Sequence, residues 1–341
     1  MRARPSDTRA ASLEFRHVSK RYDRGGDGPG AVNDLSFAVP AGAICVLVGP
    51  SGCGKTTSLK LVNRLIEPTS GQVLLDGVDV MTQEVTALRR RIGYVIQSVG
   101  LFPHLTVGRN VATVPSLMGW PAKQQQARVE ELLGLVGLDP ARYRDRYPSQ
   151  LSGGERQRIG VARALAADPL IMLMDEPFAA VDPIVRERLQ DEFLRLQREI
   201  SKTILFVTHD IDEAIRMGDL IAVMEQGGRL AQFGTPRDIL AEPASDFVAR
   251  FVGEDRGLKR LSLQTVANLR VEPLERRQEG MPEFGPATKL RDALSILLVA
   301  ETRGGIALDE TGRPRGMVTV DAIASALAED GTGPGRVPAD R

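Results

Sequence analysis

The chain has 341 residues, 42% hydrophobic and 26% charged, with lysine plus arginine and aspartate plus glutamate balanced at 44 each. That length buries at least one large core with room for an appendage, and the charge balance excludes a global field drawing the chain to nucleic acid or anionic lipid. Two cysteines make no disulfide framework and no run approaches the ~20 apolar residues of a membrane span, so a soluble, cytosolic chain is expected, with any membrane crossing supplied by other subunits.

Residues 1–12 read as disordered, and Leu13 to Val18 alternates like a strand. Tyr22 precedes a glycine-rich turn, Arg24 to Gly30, after which Leu35 to Val39 resumes alternation. Ala43 to Val48 is a buried strand containing Cys45. It runs into Gly49-Pro-Ser-Gly-Cys-Gly-Lys-Thr56, which fits the Gly-x-x-x-x-Gly-Lys-[Ser/Thr] phosphate loop. A helix over Thr56 to Ile66 follows, with Leu59, Val62, Leu65 and Ile66 on one face. Strand, loop and helix thus come in the order that lets backbone N–H groups of Gly52 to Thr57 converge on one anion at a helix N-terminus. Lys55 is expected to reach the β- and γ-phosphates of ATP, and the Thr56 hydroxyl to ligate Mg²⁺. Cys53, among these donors and beside Lys55, is expected to carry a thiol of lowered pKa that MgATP protects from alkylation.

Gly71 to Val80 reads as a strand and turn around Asp76-Gly77, and Ile92 to Ile96 as a short strand ending in Gln97. From Ser98 to about Gln150 the pattern turns helical, with Val107 to Leu117 and Lys123 to Val136 separated by prolines. Glu155 to Ala167 is a helix, Leu170 to Met174 an apolar strand, Ile184 to Ile200 an amphipathic helix and Thr203 to Val207 a strand. This alternation predicts a mostly parallel, doubly wound sheet, whose ligands gather at the carboxyl ends of the strands. Gln97, Asp175 and His209 each follow a strand directly. Asp175 is read as a water-mediated Mg²⁺ holder, Glu176 as the general base that polarises the attacking water, and His209 as a γ-phosphate partner. A strand-end glutamine has many uses. Ser152, Gly153 and Gly154 open another helix and form a second anion site, which one ATP per protomer does not need. A two-fold head-to-tail dimer, each copy closing on the ATP held by the other, accounts for both sites.

Together these residues closely resemble the ATP-binding subunits of ABC transporters over about residues 12 to 250. The resemblance implies a P-loop NTPase α/β fold with a mostly parallel sheet core, an antiparallel β-subdomain and a helical insert at about 98–150. It gives Tyr22 as the aromatic that stacks on adenine and Gly49 to Thr57 as the Walker A loop, so that Ser51, Gly52, Cys53, Gly54 and Thr57 also contact ATP. Gln97 becomes the Q-loop residue, sharing Mg²⁺ with Thr56 and Asp175 and hinging the helical insert. Leu151 to Glu155 is the signature, Leu170 to Asp175 Walker B, Glu176 the catalytic glutamate, Ala179 to Asp182 the D-loop and His209 the switch histidine. Ala179 stands where the family often has Gly or Ser, Ala43 where Glu is common, and the turn after Tyr22 is longer than usual. None of these departures removes a phosphate, Mg²⁺ or water contact, so hydrolysis is expected.

Asn63 to Gly71, Ile92 to Gln97 with Gly100 to His104, Met174 to Phe178 and Gly253 to Leu261 look like the glycine betaine, carnitine and choline branch of importers. Kinship thus implies a quaternary-ammonium osmolyte as cargo, met by a separate solute-binding protein, with another small polar solute such as an amino acid as the alternative. The implied partners are a second ATPase subunit and transmembrane permease subunits, with no nucleic acid. The implied location is the cytoplasmic face of the inner membrane. Residues 98–120 are apolar for a surface segment, and the family receives a permease coupling helix there. A non-transport ABC ATPase or a regulatory nucleotide-binding module would share the loop. The former brings long heptad insertions or a second nucleotide domain, and the latter loses Glu176 or His209; the sequence shows neither departure.

The expected organisation is a disordered 1–12, an ABC ATPase domain over 13–252, a linker over 253–285 with a strand near Val266 to Val271, and a disordered 331–341. Between them, residues 286–330 read as helix Leu290 to Val299, strands Gly305 to Leu308 and Arg315 to Val320, and helix Asp321 to Leu327. That order, with Gly316 to Ile323, resembles a single CBS motif, a small α+β appendage for which sensing of adenine nucleotide or ionic strength is a hypothesis.

Overall fold

The computed structural model describes residues 10–22, 30–97, 100–179, 181–274, 280–302 and 304–329. Residues 24–29 of the turn read at 24–30, residues 1–9 of the segment expected to be disordered at 1–12, and 331–341 lie outside them, as do Ser98, Val99 and Ala180; within 1–12 the expectation fails at Ala11, which is buried and donates its N–H to the Leu170 carbonyl at 3.2 Å. The chain divides into two compact units, one through residue 236 and one from residue 237.

The first unit begins with an antiparallel sheet. Strands β1 (Leu13–Lys20) and β2 (Val32–Val39) alternate buried and exposed positions, the pattern of a sheet with one wet face. Phe15 and Phe37, directly opposite in the β1–β2 register, stack with ring centroids 4.7 Å apart. β3 (Ile44–Val48) is buried at every position and belongs instead to the central sheet. Helix α1 (Lys55–Val62) follows the phosphate loop and is shorter than the sequence pattern suggests. Asn63 closes it, Arg64 turns into the left-handed region at φ 51°, and Leu65, expected on the buried face, is half exposed. β4 (Ser70–Leu75) and β5 (Val78–Asp79) form a hairpin on Asp76-Gly77, both at positive φ as a two-residue turn of matching twist requires. The antiparallel sheet then runs β2-β1-β4-β5.

After α2 (Val85–Arg90), β6 (Ile92–Val95) enters the central sheet. The helical insert follows. Its first helix is two short ones, α3 (Val107–Val111) and α4 (Thr113–Leu117), because Pro115 lacks the N–H that would bond the carbonyl of Val111. Buried Asn110 closes the preceding loop. Its Oδ1 accepts from the Phe102 N–H at 2.8 Å, and its Nδ2 donates to the carbonyls of Phe102, Leu105 and Thr106 at 3.0–3.1 Å. Helices α5 (Ala122–Leu135), α6 (Pro140–Tyr143) and α7 (Gly153–Leu165) complete the insert.

β7 (Ile171–Asp175), α8 (Pro183–Ile200), β8 (Thr203–Thr208), α9 (Ile211–Met217) and the hairpin β9 (Leu220–Glu225) and β10 (Arg229–Gly234) finish the unit. The central sheet runs β10-β9-β3-β8-β7-β6, parallel except for the β9–β10 pair. β3, β7 and β8 are buried throughout, which is why they read as unbroken apolar runs.

The second unit has its own core of Leu261, Val266, Phe284, Leu290, Leu297, Val318 and Ile323. Helices α10 (Pro236–Ala241) and α11 (Asp246–Val252) lead to α12 (Arg256–Leu263). Part of the segment read as linker is therefore helical and supplies Leu261 to the core. Nor is there a strand near Val266 to Val271, where Val266–Asn268 is a 3₁₀ turn and Glu272 makes only an isolated bridge to Met317. The three-stranded sheet β11-β12-β13 uses β11 (Glu283–Phe284), β12 (Gly304–Leu308) and β13 (Pro314–Thr319), with α13 (Leu290–Val299) before β12 and α14 (Val320–Glu329) after β13.

Replacing Asn110 by Ala removes four hydrogen bonds at once and takes the side-chain partner from the Phe102 N–H and the Leu105 carbonyl, while the Phe102 and Thr106 carbonyls keep the backbone N–H groups of Leu105 and Asn110. The expected loss is about 1–3 kcal/mol of stability, read from urea unfolding, with an unchanged m-value.

Candidate functional site

The phosphate loop follows from how tightly β3 leaves the sheet. A Cβ on Gly49 would lie 2.2 Å from the Met224 carbonyl oxygen at the end of β9, and one on Gly54, at φ +96°, 2.2 Å from the Ala31 carbonyl oxygen. Only glycine passes both points. Nothing lies within 4 Å of the Cβ position of Gly52, so the loop's outer side is open. Gly54 is the N-cap of α1 and, as a glycine, offers no side-chain acceptor to the helix's first N–H groups. Those donors and the helix dipole are thus available to an anion. Lys55 is buried, its Nζ donating to the carbonyls of Gly49 at 2.7 Å and Pro50 at 2.9 Å. Gln226, on the β9–β10 hairpin, ties the loop down by donating to the Ser51 carbonyl at 3.0 Å.

The acids arrive on the neighbouring strand ends. β6, β7 and β8 are adjacent and parallel, so Gln97, Asp175, Glu176 and His209 emerge on one edge of the sheet. The Thr56 hydroxyl donates to Asp175 Oδ1 at 3.0 Å, joining the loop to β7. Burial pushes the Asp175 carboxyl above the usual range, and the Thr56 hydrogen bond only partly opposes this. Glu176 adopts φ 44°, a left-handed conformation that a non-glycine residue holds only when its surroundings fix it. Its N–H donates to the Val207 carbonyl on β8 at 3.0 Å. Its carboxylate lies between Gln97, whose Nε2 donates to Oε2 at 3.2 Å, and His209, whose Nδ1 is 3.3 Å from Oε1. Among the described residues no group of three His, Cys, Asp or Glu is placed to hold a metal ion unaided.

The Ser152 end of α7 is built differently. The Ser152 hydroxyl accepts from the Glu155 N–H at 3.3 Å while Glu155 accepts from the Ser152 N–H at 2.7 Å, a reciprocal capping box. The Tyr143 hydroxyl, donating to Glu155 Oε1 at 2.6 Å, holds that carboxyl below its usual range. Ser152, Gly153, Gly154 and Asp182 line one pocket, and no residue of Gly49 to Thr57 lines it. The N-terminal ends of α1 and α7 thus face separate surfaces within one chain. Tyr22, half exposed, has Lys20 Nζ 5.3 Å over its ring.

The family model described as "ABC transporter" matches residues 32–179. The osmoprotectant import ATP-binding protein OsmV of Salmonella typhimurium is 44% identical over 328 residues, which are 95% of this chain and 84% of that protein. The chain belongs to the ATP-binding proteins of ABC transporters. Another relative, the choline transport ATP-binding protein OpuBA of Bacillus subtilis, is 52% identical over 244 residues, 72% of this chain and 63% of that one. The ATP-binding cassette MJ0796, solved as a dimer in a post-hydrolysis state with ADP and Pi, matches with a TM-score of 0.58 and 30% identity over 66% of this chain and 98% of its own. The fold is therefore that of a P-loop ABC ATPase, which binds ATP and couples its hydrolysis to transport. In importers such ATPases act as dimers with transmembrane permease subunits. Among this ATPase's described residues, no helix is long and apolar enough to cross a membrane.

One expectation about the ABC ATPase fails. The Cys53 thiol is fully buried, and burial raises its pKa more than Lys55, 3.7 Å away, lowers it. It is not an activated thiol. Sequence reading also passed over Gln226 and Tyr143. Gln226 carries no local signal, since its partner is 175 residues away. Tyr143 follows from the Ser152-x-x-Glu155 capping box, which is legible, once the carboxylate is asked for its second partner.

Two outcomes follow. Cys45 and Cys53, both buried with raised pKa, should resist maleimide at pH 7 with or without MgATP and react fully in denaturant, as read by intact mass. Asp175→Asn should raise the melting temperature of the nucleotide-free ATPase by a few degrees at pH 7. The folded state favours the protonated carboxyl, so the stability Asp175 contributes is full below its unfolded pKa and is lost as pH rises through its higher folded one. The advantage of Asn therefore shrinks as the pH is lowered into the carboxylate range, which calorimetry at several pH values measures.

Proposed function

We propose that this ABC ATPase powers import of a quaternary-ammonium osmolyte of the glycine betaine, choline or carnitine type through a separate permease. The cargo reading is supported by the names of several relatives. They include OsmV, OpuBA, the glycine betaine/carnitine/choline transport protein OpuCA of Bacillus subtilis and the glycine betaine uptake protein YehX of Escherichia coli, the last two 44% and 46% identical to this chain. The chain's own catalytic reading rests on one observation, the Glu176 carboxylate fixed between Gln97 and His209 beside the Thr56–Asp175 pair.

Each residue then has a task. Backbone N–H groups of Gly52 to Thr57 and the Lys55 ammonium bind the phosphates, Lys55 exchanging the carbonyls of Gly49 and Pro50 for phosphate oxygens. Gly49 and Ser51 shape the loop, and Tyr22 supplies a face for adenine. The Thr56 hydroxyl, the Asp175 carboxylate and the Gln97 amide oxygen are hard oxygen donors. They fit Mg²⁺, which takes one or two carboxylates and shares the substrate's phosphates. Bound there, Mg²⁺ supplies neutralisation of charge developing on the β- and γ-oxygens. Glu176 accepts the proton of the attacking water, and His209 orients the Glu176 carboxylate and donates toward the γ-phosphoryl oxygens.

Ser152, Gly153, Gly154 and Asp182 act on the ATP of a second copy. The separation of their pocket from the phosphate loop supports this, as does the dimer seen for the MJ0796 cassette. Phe102, Leu117 and Met118 expose apolar surface on the helical insert, the face offered to a permease on the cytoplasmic side of the membrane. Residues 286–330 serve as a single CBS-like motif, a reading supported by the order α13-β12-β13-α14.

The test pairs Glu176→Gln with cargo-dependent hydrolysis. Glu176→Gln should retain ATP binding, lose about 10²–10⁴-fold in hydrolysis and form an MgATP-dependent dimer by light scattering. With the permease and binding protein in vesicles, glycine betaine or choline should stimulate hydrolysis. Stimulation by an amino acid instead would replace the cargo, and full activity of Glu176→Gln would remove the catalytic assignment.

A further inference from the structure

The hydrolytic residues leave one buried carboxyl unused. Glu213, on α9, is 8% exposed, and burial pushes its carboxyl above the usual range. An unpaired carboxylate there would be costly, and this one is held by groups from two other elements. Gln190, buried on α8, donates from Nε2 to Glu213 Oε1 at 2.9 Å. The buried Thr208 hydroxyl, at the end of β8, is hydrogen-bonded to the same carboxyl. Of the charged groups nearby, Asp210 opposes ionisation of Glu213 and Arg186, on α8, favours it.

These contacts close a ring around His209. The Asp210 N–H donates to Thr208 Oγ1 at 3.1 Å, which leaves the hydroxyl hydrogen free to point at Glu213. The Glu213 N–H in turn donates to Asp210 Oδ1 at 3.3 Å, and the Ala214 N–H to the Asp210 carbonyl at 3.1 Å. Residues 208 and 210 are thus fixed on both sides of His209, whose exposed imidazole has its Nδ1 3.3 Å from Glu176 Oε1. An exposed ring takes its direction largely from the backbone that carries it. Thr208 also pairs across the sheet with Val48, the last residue before the phosphate loop.

We infer that Glu213 is a positioning residue for His209, acting through the Thr208 hydroxyl and anchored to α8 by Gln190. It acts on the strand end, which it fixes so that the imidazole meets Glu176 and the γ-phosphoryl oxygens. This role rests on the one proposed for His209.

Steady-state hydrolysis by the full chain is to be compared for Glu213→Gln, Thr208→Val and Thr208→Ser, alone and combined with His209→Ala. Glu213→Gln keeps the size of the side chain and replaces one acceptor oxygen by an N–H donor. Thr208→Val removes the hydroxyl and keeps the branched side chain. Each should lower kcat by about tenfold and change the KM for ATP by less than about twofold, whereas Thr208→Ser, which keeps the hydroxyl, should stay within about twofold of the unmodified chain. With His209→Ala already in place, Glu213→Gln should cost less than about twofold, since the group it positions is gone. The chain has three histidines, so the His209 imidazole resonances are readily assigned by NMR. Glu213→Gln should move them and leave those of His17 and His104 in place. Full activity of His209→Ala would overturn the role of His209 and this one with it. If His209→Ala loses activity, three results would overturn the role of Glu213 alone: unchanged kcat in Glu213→Gln and Thr208→Val, a further tenfold loss when Glu213→Gln is added to His209→Ala, or unmoved His209 resonances. Should Glu213→Gln fail to fold, Thr208→Val against Thr208→Ser decides by the same comparisons.

Discussion

A parallel sheet points every carboxyl end the same way, and this chain depends on that constraint. β3, β8, β7 and β6 are neighbours, so residues 49, 97, 175 and 209, far apart in sequence, leave the sheet on one edge. The hydrogen bond from Thr56 to Asp175 exists because β3 and β7 flank β8, and the Gln97–Glu176–His209 row because β6, β7 and β8 are consecutive. Burial of both sheet faces fixes the register, and the register fixes the site.

How much of this the sequence displayed depended on the range of the interaction. Ala43 to Thr56 carried strand, loop and helix as a contiguous pattern, and the acids after Met174 stood out because an apolar run ended in charge. Local stops were harder. Leu65 and Ile66 continue the helical spacing one turn beyond α1, although Asn63 and the left-handed Arg64 end it. The β9–β10 hairpin went unread although Gly227-Gly228, both at positive φ, marks such a turn. The segment after Gly253 read as linker because it is charged, yet Lys259 is buried there, its ammonium donating to the Val252 carbonyl at 2.6 Å and pairing with Asp255. Composition reports average polarity; it does not report that a lysine stem covers a core while its head finds local acceptors.

The Cys53 result belongs to the same lesson. A thiol beside a lysine in a ring of donors reads as activated, but thiolate formation also requires solvation, and the loop folds the sulfur inward. Direction of a side chain, not adjacency in sequence, decided the outcome.

Ala31 stands between two glycines that never meet each other. Its carbonyl oxygen lies 2.2 Å from the Cβ position of Gly54 in the phosphate loop and 2.6 Å from that of Gly228 in the β9–β10 hairpin. The segment leading into β2 is therefore gripped from both sides by backbone with no slack for a methyl group. A methyl added at Gly228 would press on the same carbonyl that Gly54 accommodates, so a change on a surface turn would be transmitted to the loop through one shared atom. Tolerance to mutation in this protein should therefore follow such shared contacts more closely than distance from the chemistry.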